Sequence, residues 1–188
     1  NLVIRNGADS SSSAFDCGGH AVTFLLAGGN FLVGGGAGNG LAGIHVDPSS
    51  SLLISNVTAD ASLCVAGMIS SAGIGGNCYE TNGLVRIAGG IIEAYNTGAD
   101  YDGAAAIGGG YDGGGGTIII DGGTVTATGG PYSPAIGPGA TGTNSSRYPG
   151  CTVTIHGGNV TAIGSTGCAG IGGCVKSGDV TILITGGT

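Results

Sequence analysis

The 188-residue chain carries a net charge of −7, and 45 of its residues are glycine. Its four lysines and arginines cannot neutralise a run of phosphates, so the charge excludes an electrostatic nucleic-acid surface. Disorder is excluded because 41% of the residues are hydrophobic, and collagen is excluded because there are only five prolines. The glycines are therefore expected at turns within an ordered, apolar structure. The length predicts a single domain, residues 1–188.

Pairs of short strands separated by a glycine corner recur along the chain. Residues 1–20 are predicted to form a partial N-terminal coil that lacks the first strand of the unit, and 180–188 a partial C-terminal coil. LLAGGNFLV (25–33) is a loose copy, and SLLISNVTA (51–59) is interpreted as a copy with a shorter corner. Three clearer copies follow, at LVRIAGGIIEAYNT (84–97), TIIIDGGTVTATGG (117–130) and TVTIHGGNVTAIGS (152–165).

A third element of each unit contains an isoleucine that is preceded by a small residue and in most copies followed by glycine. These isoleucines are spaced by 30, 33, 29 and 35 residues. We predict that they stack as one buried ladder of Ile44, Ile74, Ile107, Ile136 and Ile171. Glycine after the isoleucine permits a positive φ, which residues with a Cβ resist.

Side chains alternate within each predicted strand. Val153 and Ile155 share one face, whereas Thr152 and Thr154 share the other. A period near 30 residues with three short strands describes one coil of a β-solenoid, and coils stack at about 4.8 Å. The predicted fold is all-β, a single-stranded parallel β-helix of about five to six coils.

The pattern Gly-Gly-x-Val-x-Ala followed by Ala-x-Ile-Gly-Gly resembles glycine-rich solenoid repeats of secreted and cell-surface proteins. These repeats are similar to the right-handed, pectin-lyase-like parallel β-helix. The resemblance covers about residues 21–188 and implies a right-handed coil. It does not imply one activity, because such repeats occur in adhesins, surface fibres and glycan-associated modules.

Six cysteines suit an oxidising, extracellular setting. Metal binding is the alternative interpretation, but no Cys-x-x-Cys pair is present. Two pairs of cysteines each flank one copy of the Ile-Gly motif, which suggests loops stapled against the coil surface. Structural disulfides are therefore predicted, with the pairing left open, among Cys17, Cys64, Cys78, Cys151, Cys168 and Cys174.

Three sequons, at Asn56, Asn144 and Asn159, predict N-linked glycans and support secretion. In the strand register above, Asn159 points to solvent. The chain begins with Asn1 rather than Met, which is expected if a signal peptide has been removed. Residues 21–44 lack charge, but their glycines and their place in the repeat argue against a membrane span.

A catalytic or metal-binding function has weak support in the sequence. The best acidic cluster is Asp100, Asp102 and Asp112, which could hold Ca²⁺, although Asp-Gly turns are the favoured interpretation. No pair of residues matches the acid and base of a glycoside hydrolase. We therefore expect no enzyme activity and no cofactor.

A glycan-binding module is the stronger alternative, because six tyrosines fall mostly in or near loops, where they can stack on sugars. Ice binding by outward threonines is disfavoured, because Arg86, Glu93 and Tyr95 interrupt that face.

The favoured function is a structural protomer of an extracellular filament or surface fibre. Joining the end of one copy to the start of the next gives a spacing of 30 residues between Gly186 and Gly28, which matches the other coils. Solenoid ends expose strand edges that invite another chain. The expected partner is therefore a second copy, stacked head-to-tail or arranged in tandem within a longer polypeptide.

Overall fold

The structure is a computed structural model that describes residues 2–7, 9–36, 38, 40–98, 103–141, 149–174 and 177–188. The described residues contain no helix; their strands form three parallel sheets, here named A, B and C.

Each sheet takes one strand from every turn of the chain. Sheet A contains β1 (Leu2–Arg5), β4 (Gly29–Val33), β7 (Ser62–Gly67), β10 (Ile91–Asn96), β13 (Thr124–Thr128) and β16 (Asn159–Ile163). Sheet B contains β2 (Phe15–Asp16), β5 (Ile44–His45), β8 (Ile74–Gly75), β11 (Ile107–Gly108) and β14 (Ile136–Gly137). Sheet C contains β3 (Ala21–Leu26), β6 (Ser51–Asn56), β9 (Leu84–Ile87), β12 (Thr117–Ile120), β15 (Cys151–Ile155) and β17 (Val180–Ile184).

One coil consists of a strand from sheet A, then one from sheet B, then one from sheet C. Each strand pairs in parallel with the equivalent strands one coil before and after it, as β10 does with β7 and β13. Coils 1 to 5 have all three strands. In coil 6 the sheet B strand is reduced to a single bridge between Ile136 and Ile171. The predicted all-β solenoid with three short strands per coil is confirmed.

The core consists of columns of inward-facing side chains that continue from coil to coil. In sheet C, Val85, Ile118 and Val153 form one such column and are fully buried, whereas Thr117 and Thr152 face outward. This arrangement follows from the alternation of strand side chains.

The five predicted ladder residues occupy one column of sheet B. Ile44, Ile74, Ile107 and Ile136 pair in succession with no exposed surface, and Ile171 continues the column at the last coil, where it is half-buried. The structure adds Phe15 at the other end of the column, in register with Ile44. The sequence pattern did not include Phe15, because phenylalanine stands there in place of isoleucine.

Two kinds of glycine are required by the geometry. Gly123 ends the corner between sheets C and A with a φ of 89°. Gly108, in the isoleucine ladder motif, has a φ of 140°, and a Cβ at this position would lie 1.9 Å from the carbonyl oxygen of Gly137 in the next coil. Glycine is therefore needed at position 108 for close stacking as well as for the positive φ.

The interpretation of residues 51–59 as a unit with a shorter corner is wrong. Strand β6 ends at Asn56, and β7 begins only at Ser62, so the corner spans 57–61. The glycine corner 121–123 is shorter. Residues 57–61 contain no glycine, so the chain turns through a longer bend in which the Ala61 N–H donates to the carbonyl of Thr58.

Replacing Ile107 by Asp should prevent folding or destabilise the fold by several kcal/mol, because the carboxylate would be buried without a partner. The matched control is Ile91→Asp, since Ile91 is 45% exposed on the outer face of β10. Denaturant unfolding of both variants measures the difference. Equal stability of the two variants would show that the ladder does not carry the core.

Candidate functional site

The N-terminal end of the solenoid exposes strand edges and apolar side chains. Among the described residues, β1 pairs only with β4 and β3 only with β6. Leu25 is 65% exposed. The end opens into an apolar cavity of about 200 Å³, whose lining includes Leu2, Phe24, Leu26, Leu32 and Leu63.

The C-terminal end has the same character. Strand β17 pairs only with β15 among the described residues, and Ile184 at its end is 60% exposed. A cavity of about 170 Å³ opens here between sheets A, B and C. Its lining includes Ile155, Val160, Ile171 and Ile184.

The two ends belong to the same columns. Phe24 begins the sheet C column that runs through Ile54, Ile87, Ile120 and Ile155 and finishes at Ile184. Phe15 begins the sheet B column that finishes at Ile171. Each of these apolar columns is therefore exposed at both ends of the described structure.

A cluster of charged side chains at the corner between sheets B and C joins coils 1, 2 and 3. The ring of His45 lies between two carboxylates, with Nδ1 at 3.0 Å from Asp16 Oδ1 and Nε2 at 2.7 Å from Glu80 Oε2. His45 is buried, while both carboxylates are partly exposed. Asp47 lies nearby and accepts hydrogen bonds from the Gly19 N–H and from the hydroxyls of Ser49 and Ser50.

The surroundings shift the titration of this cluster. Burial lowers the pKa of His45, but the hydrogen bonds and charges of Glu80 and Asp16 outweigh burial and raise the pKa above its ordinary value. The hydrogen bond from His45 lowers the pKa of Glu80 against the opposing effect of burial. Burial opposes ionisation of Asp47, but its hydroxyl and backbone donors lower its pKa strongly.

A second charged column lies on the outside, near the corner between sheets C and A. Asp121 accepts a hydrogen bond from Arg86 Nε at 2.5 Å, and its other oxygen lies 2.9 Å from His156 Nδ1. The hydrogen bonds from His156 and Arg86 lower the pKa of Asp121. Arg86 and His156 are half-exposed, so this column is more open than the one around His45.

Sequence reasoning missed both clusters. The signal was the separation along the chain: Asp16 and His45 are 29 residues apart, and each of the other contacts spans 35. These separations are close to the length of one coil, so a search for opposite charges about one period apart would have found them.

The comparisons agree with this repeat geometry. Residues 118–140 and 153–174 match the family described as Beta helix repeat. The same stacked parallel strands continue through the other described coils. The fold is therefore a parallel β-helix, and these two segments carry its recognisable repeat sequence. No curated protein and no solved structure matches the chain.

The last coil of the β-helix carries a disulfide. Cys168 and Cys174 are bonded and flank Ile171, the last residue of the isoleucine ladder. The Cys174 backbone N–H also donates a hydrogen bond to Ser177 Oγ at 2.9 Å. The disulfide therefore closes the loop that holds Ile171 at the exposed end.

Three of the other predicted disulfide cysteines are thiols in the structure. Cys17 follows β2 of sheet B, Cys64 is on β7 of sheet A, and Cys151 is on β15 of sheet C, so different walls keep them apart. Burial raises the pKa of Cys151 to about 12. Burial, with the charges of nearby aspartates, raises the pKa of Cys17 to about 11. Both remain protonated and unreactive at neutral pH.

Cys78 lies in the corner after β8, where its backbone N–H donates to Ser71 Oγ at 3.0 Å. The sequence predicted that Cys64 and Cys78 help to staple a loop, but Cys64 forms no disulfide in the structure. Its Sγ lies 3.8 Å from the hydroxyl of Tyr95, on the neighbouring strand β10.

The sequons occupy different positions in the β-helix. Asn159 is the first residue of β16 and is exposed, whereas Asn56 ends β6 and is half-buried, with its amide donating to the carbonyl of Thr58 at 2.8 Å. Asn144 lies outside the described residues.

The candidate calcium ligands are not brought together in the described structure. Asp100 and Asp102 lie outside the described residues, and Asp112 is buried in a turn with a φ of 51°. No group of three metal-ligating side chains is present within the described ranges. Likewise, no helix within them is long and apolar enough to cross a membrane.

Removing the disulfide with the double substitution Cys168→Ala and Cys174→Ala should destabilise the loop around Ile171 by about 2 kcal/mol, because the closed loop is short. Hydrogen exchange of the Gly172 amide, which donates to the carbonyl of Ile136, reports the opening. Cys64→Ala is the control and should leave this amide unchanged. Unaltered exchange in the double variant would mean that packing alone holds the last coil.

Proposed function

We propose that this β-helix is a structural building block of an extracellular fibre or surface layer. Coil 1 of one copy stacks on coil 6 of another, either between separate chains or between successive segments of one polypeptide. The observation that carries the proposal is that the same columns are open and apolar at both ends.

Stacking by one coil continues inward-facing columns of all three sheets with apolar neighbours. Phe24 of one copy lies over Ile184 of the other, and Phe15 lies over Ile171. In sheet A, Ile4 continues the column of Leu32 and Val65, which ends at the small side chain of Ala162. The contact removes apolar surface from water at both ends, which is the main driving force of association.

The backbone also supports continuation of the sheets. Thr188 already lies beside Asn159: its N–H donates to the carbonyl of Gly158 at 2.9 Å, and its carbonyl accepts from the Val160 N–H at 2.9 Å. Val160, the residue after Asn159, belongs to the column that begins at Leu2, so Leu2 of a second copy would continue that column. Parallel strands that share a register can therefore pair across the joint, which satisfies the exposed edges.

An extracellular location is supported by the disulfide and the exposed sequon. Disulfides persist in oxidising compartments, and the bond between Cys168 and Cys174 lies near the surface of the last coil. Asn159 presents its side chain to solvent, where an N-linked glycan has room. The proposed role requires no active site.

A glycan-binding module is the second candidate. Tyr79 is 61% exposed, and its ring lies 6.3 Å from that of Tyr111 in the next coil. Such a pair offers aromatic surface for sugar stacking. This alternative predicts a discrete monomer that binds polysaccharide and loses binding on Tyr79→Ala, whereas the fibre role predicts that Tyr79→Ala leaves assembly unchanged.

Asn159 and Asn56 are expected to carry N-linked glycans in the native protein. Peptide mass spectrometry of native material measures the occupancy, and Asn159→Gln should remove the glycan from its own peptide only. If Asn56, Asn144 and Asn159 are all unmodified, the extracellular assignment loses this support.

Stacking is tested with a substitution at the proposed joint. Ile184→Asp should weaken end-to-end association at least about tenfold, because stacking would bury a carboxylate without a partner. Leu183→Asp is the matched control: Leu183 precedes Ile184 on β17 but faces outward, so its carboxylate stays in water. Light scattering over a concentration series measures the association, and circular dichroism verifies that both variants fold.

Monomers at every concentration would contradict stacking between separate chains. The tandem form of the proposal then depends on the intact mass of the native polypeptide, which must accommodate more than one copy. A native polypeptide with a single copy that never associates would overturn the proposed function.

A further inference from the structure

The described residues contain one buried histidine held between two carboxylates from different coils. His45 is in coil 2, Asp16 in coil 1 and Glu80 in coil 3, so the ring connects three successive coils. This contact crosses the direction of the strands and is additional to the backbone pairing of sheet B.

The hydrogen bonds determine which form of the ring fits. An ionised carboxylate only accepts hydrogen bonds, and a neutral imidazole carries a single N–H. Only the imidazolium, with an N–H on each nitrogen, donates to Asp16 and Glu80 together. In the neutral ring one nitrogen would direct a lone pair at a carboxylate oxygen about 3 Å away.

We propose that His45 is a pH-sensitive clamp that locks the first three coils together when its ring is doubly protonated and loosens coil 1 when it loses a proton. The clamp acts within one chain and does not require stacking between copies.

The carboxylates identified around the ring favour its charged form. Asp16 and Glu80 contact it directly, and Asp47, in the corner after β5, adds a negative charge while its own oxygens are held by Gly19 and the hydroxyls of the two serines. Cys17, which follows Asp16, stays a neutral thiol because burial raises its pKa to about 11. No cation competes with His45 for the two carboxylates in the described ion pairs.

The sign of the pH dependence follows from the two shifts. The raised pKa of His45 means that its stabilising effect is complete below the ordinary histidine value of 6.5 and is lost as the pH rises through the higher folded value. The lowered pKa of Glu80 means that its effect is complete above 4.5 and is lost as the pH falls through the lower folded value. The clamp is therefore complete between these two ordinary values and weakens on the alkaline side.

The backbone provides local probes of the clamp. The Phe15 N–H donates to the carbonyl of Gly43, and the Cys17 N–H donates to the carbonyl of His45, so both amides exchange when coil 1 separates from coil 2. The Ile107 N–H, which donates to the carbonyl of Ala135 between coils 4 and 5, is an internal reference.

The experiment is hydrogen exchange of the 188-residue chain at about pH 6, below the ordinary histidine pKa, and at about pH 9, well above it, with each rate corrected for the intrinsic effect of pH. Protection of Phe15 and Cys17 should fall several-fold relative to Ile107 between these values. In His45→Gln, which is neutral at both values, the fall should disappear. His156→Gln, which removes an exposed histidine that contacts a carboxylate, should behave like the unchanged protein.

Nitrogen NMR of the unchanged protein gives a result that does not depend on the folding of a variant. At about pH 6, below the ordinary histidine pKa, both ring nitrogens of His45 should carry protons. A neutral His45 ring under that condition, or a His45→Gln variant that keeps the same pH-dependent loss of protection, would overturn the clamp.

Discussion

In-register stacking of parallel strands is the constraint on which the rest of this structure depends. Each residue lies against the residue one coil earlier and one coil later, at the ordinary spacing of about 4.8 Å between strands. A side chain therefore meets its own column rather than an arbitrary neighbour. Ile107, for example, stacks between Ile74 and Ile136, which are side chains of the same shape in the coils before and after it.

The same constraint governs charge. Like charges stacked in one column repel, so a charged column is stable when its members alternate in sign. Both polar clusters pair carboxylates with bases of neighbouring coils: Asp16 and Glu80 flank His45, and Arg86 and His156 flank Asp121.

Columns also explain why the ends matter. A globular core closes on itself, whereas an apolar column of a solenoid continues until something covers it. Here the columns of Ile171 and Ile184 end beside one open cavity, and the column of Phe24 begins beside another. The disulfide between Cys168 and Cys174 fixes the last ladder residue at one of these ends.

The sequence by itself determined the β-solenoid, its three-strand coil, the ladder and the glycine corners, because these depend on short-range alternation and on a period that every coil repeats. Only the tertiary structure decided the pairing of Cys168 with Cys174, the long corner that follows Asn56, and the meeting of His45 with its two carboxylates. Coils here differ in length because their corners differ, so the sequence interval between stacked residues varies from 28 to 35. The contacts made by corner residues depend on how each bend is folded, and that path is fixed by packing against the neighbouring coils rather than by local pattern.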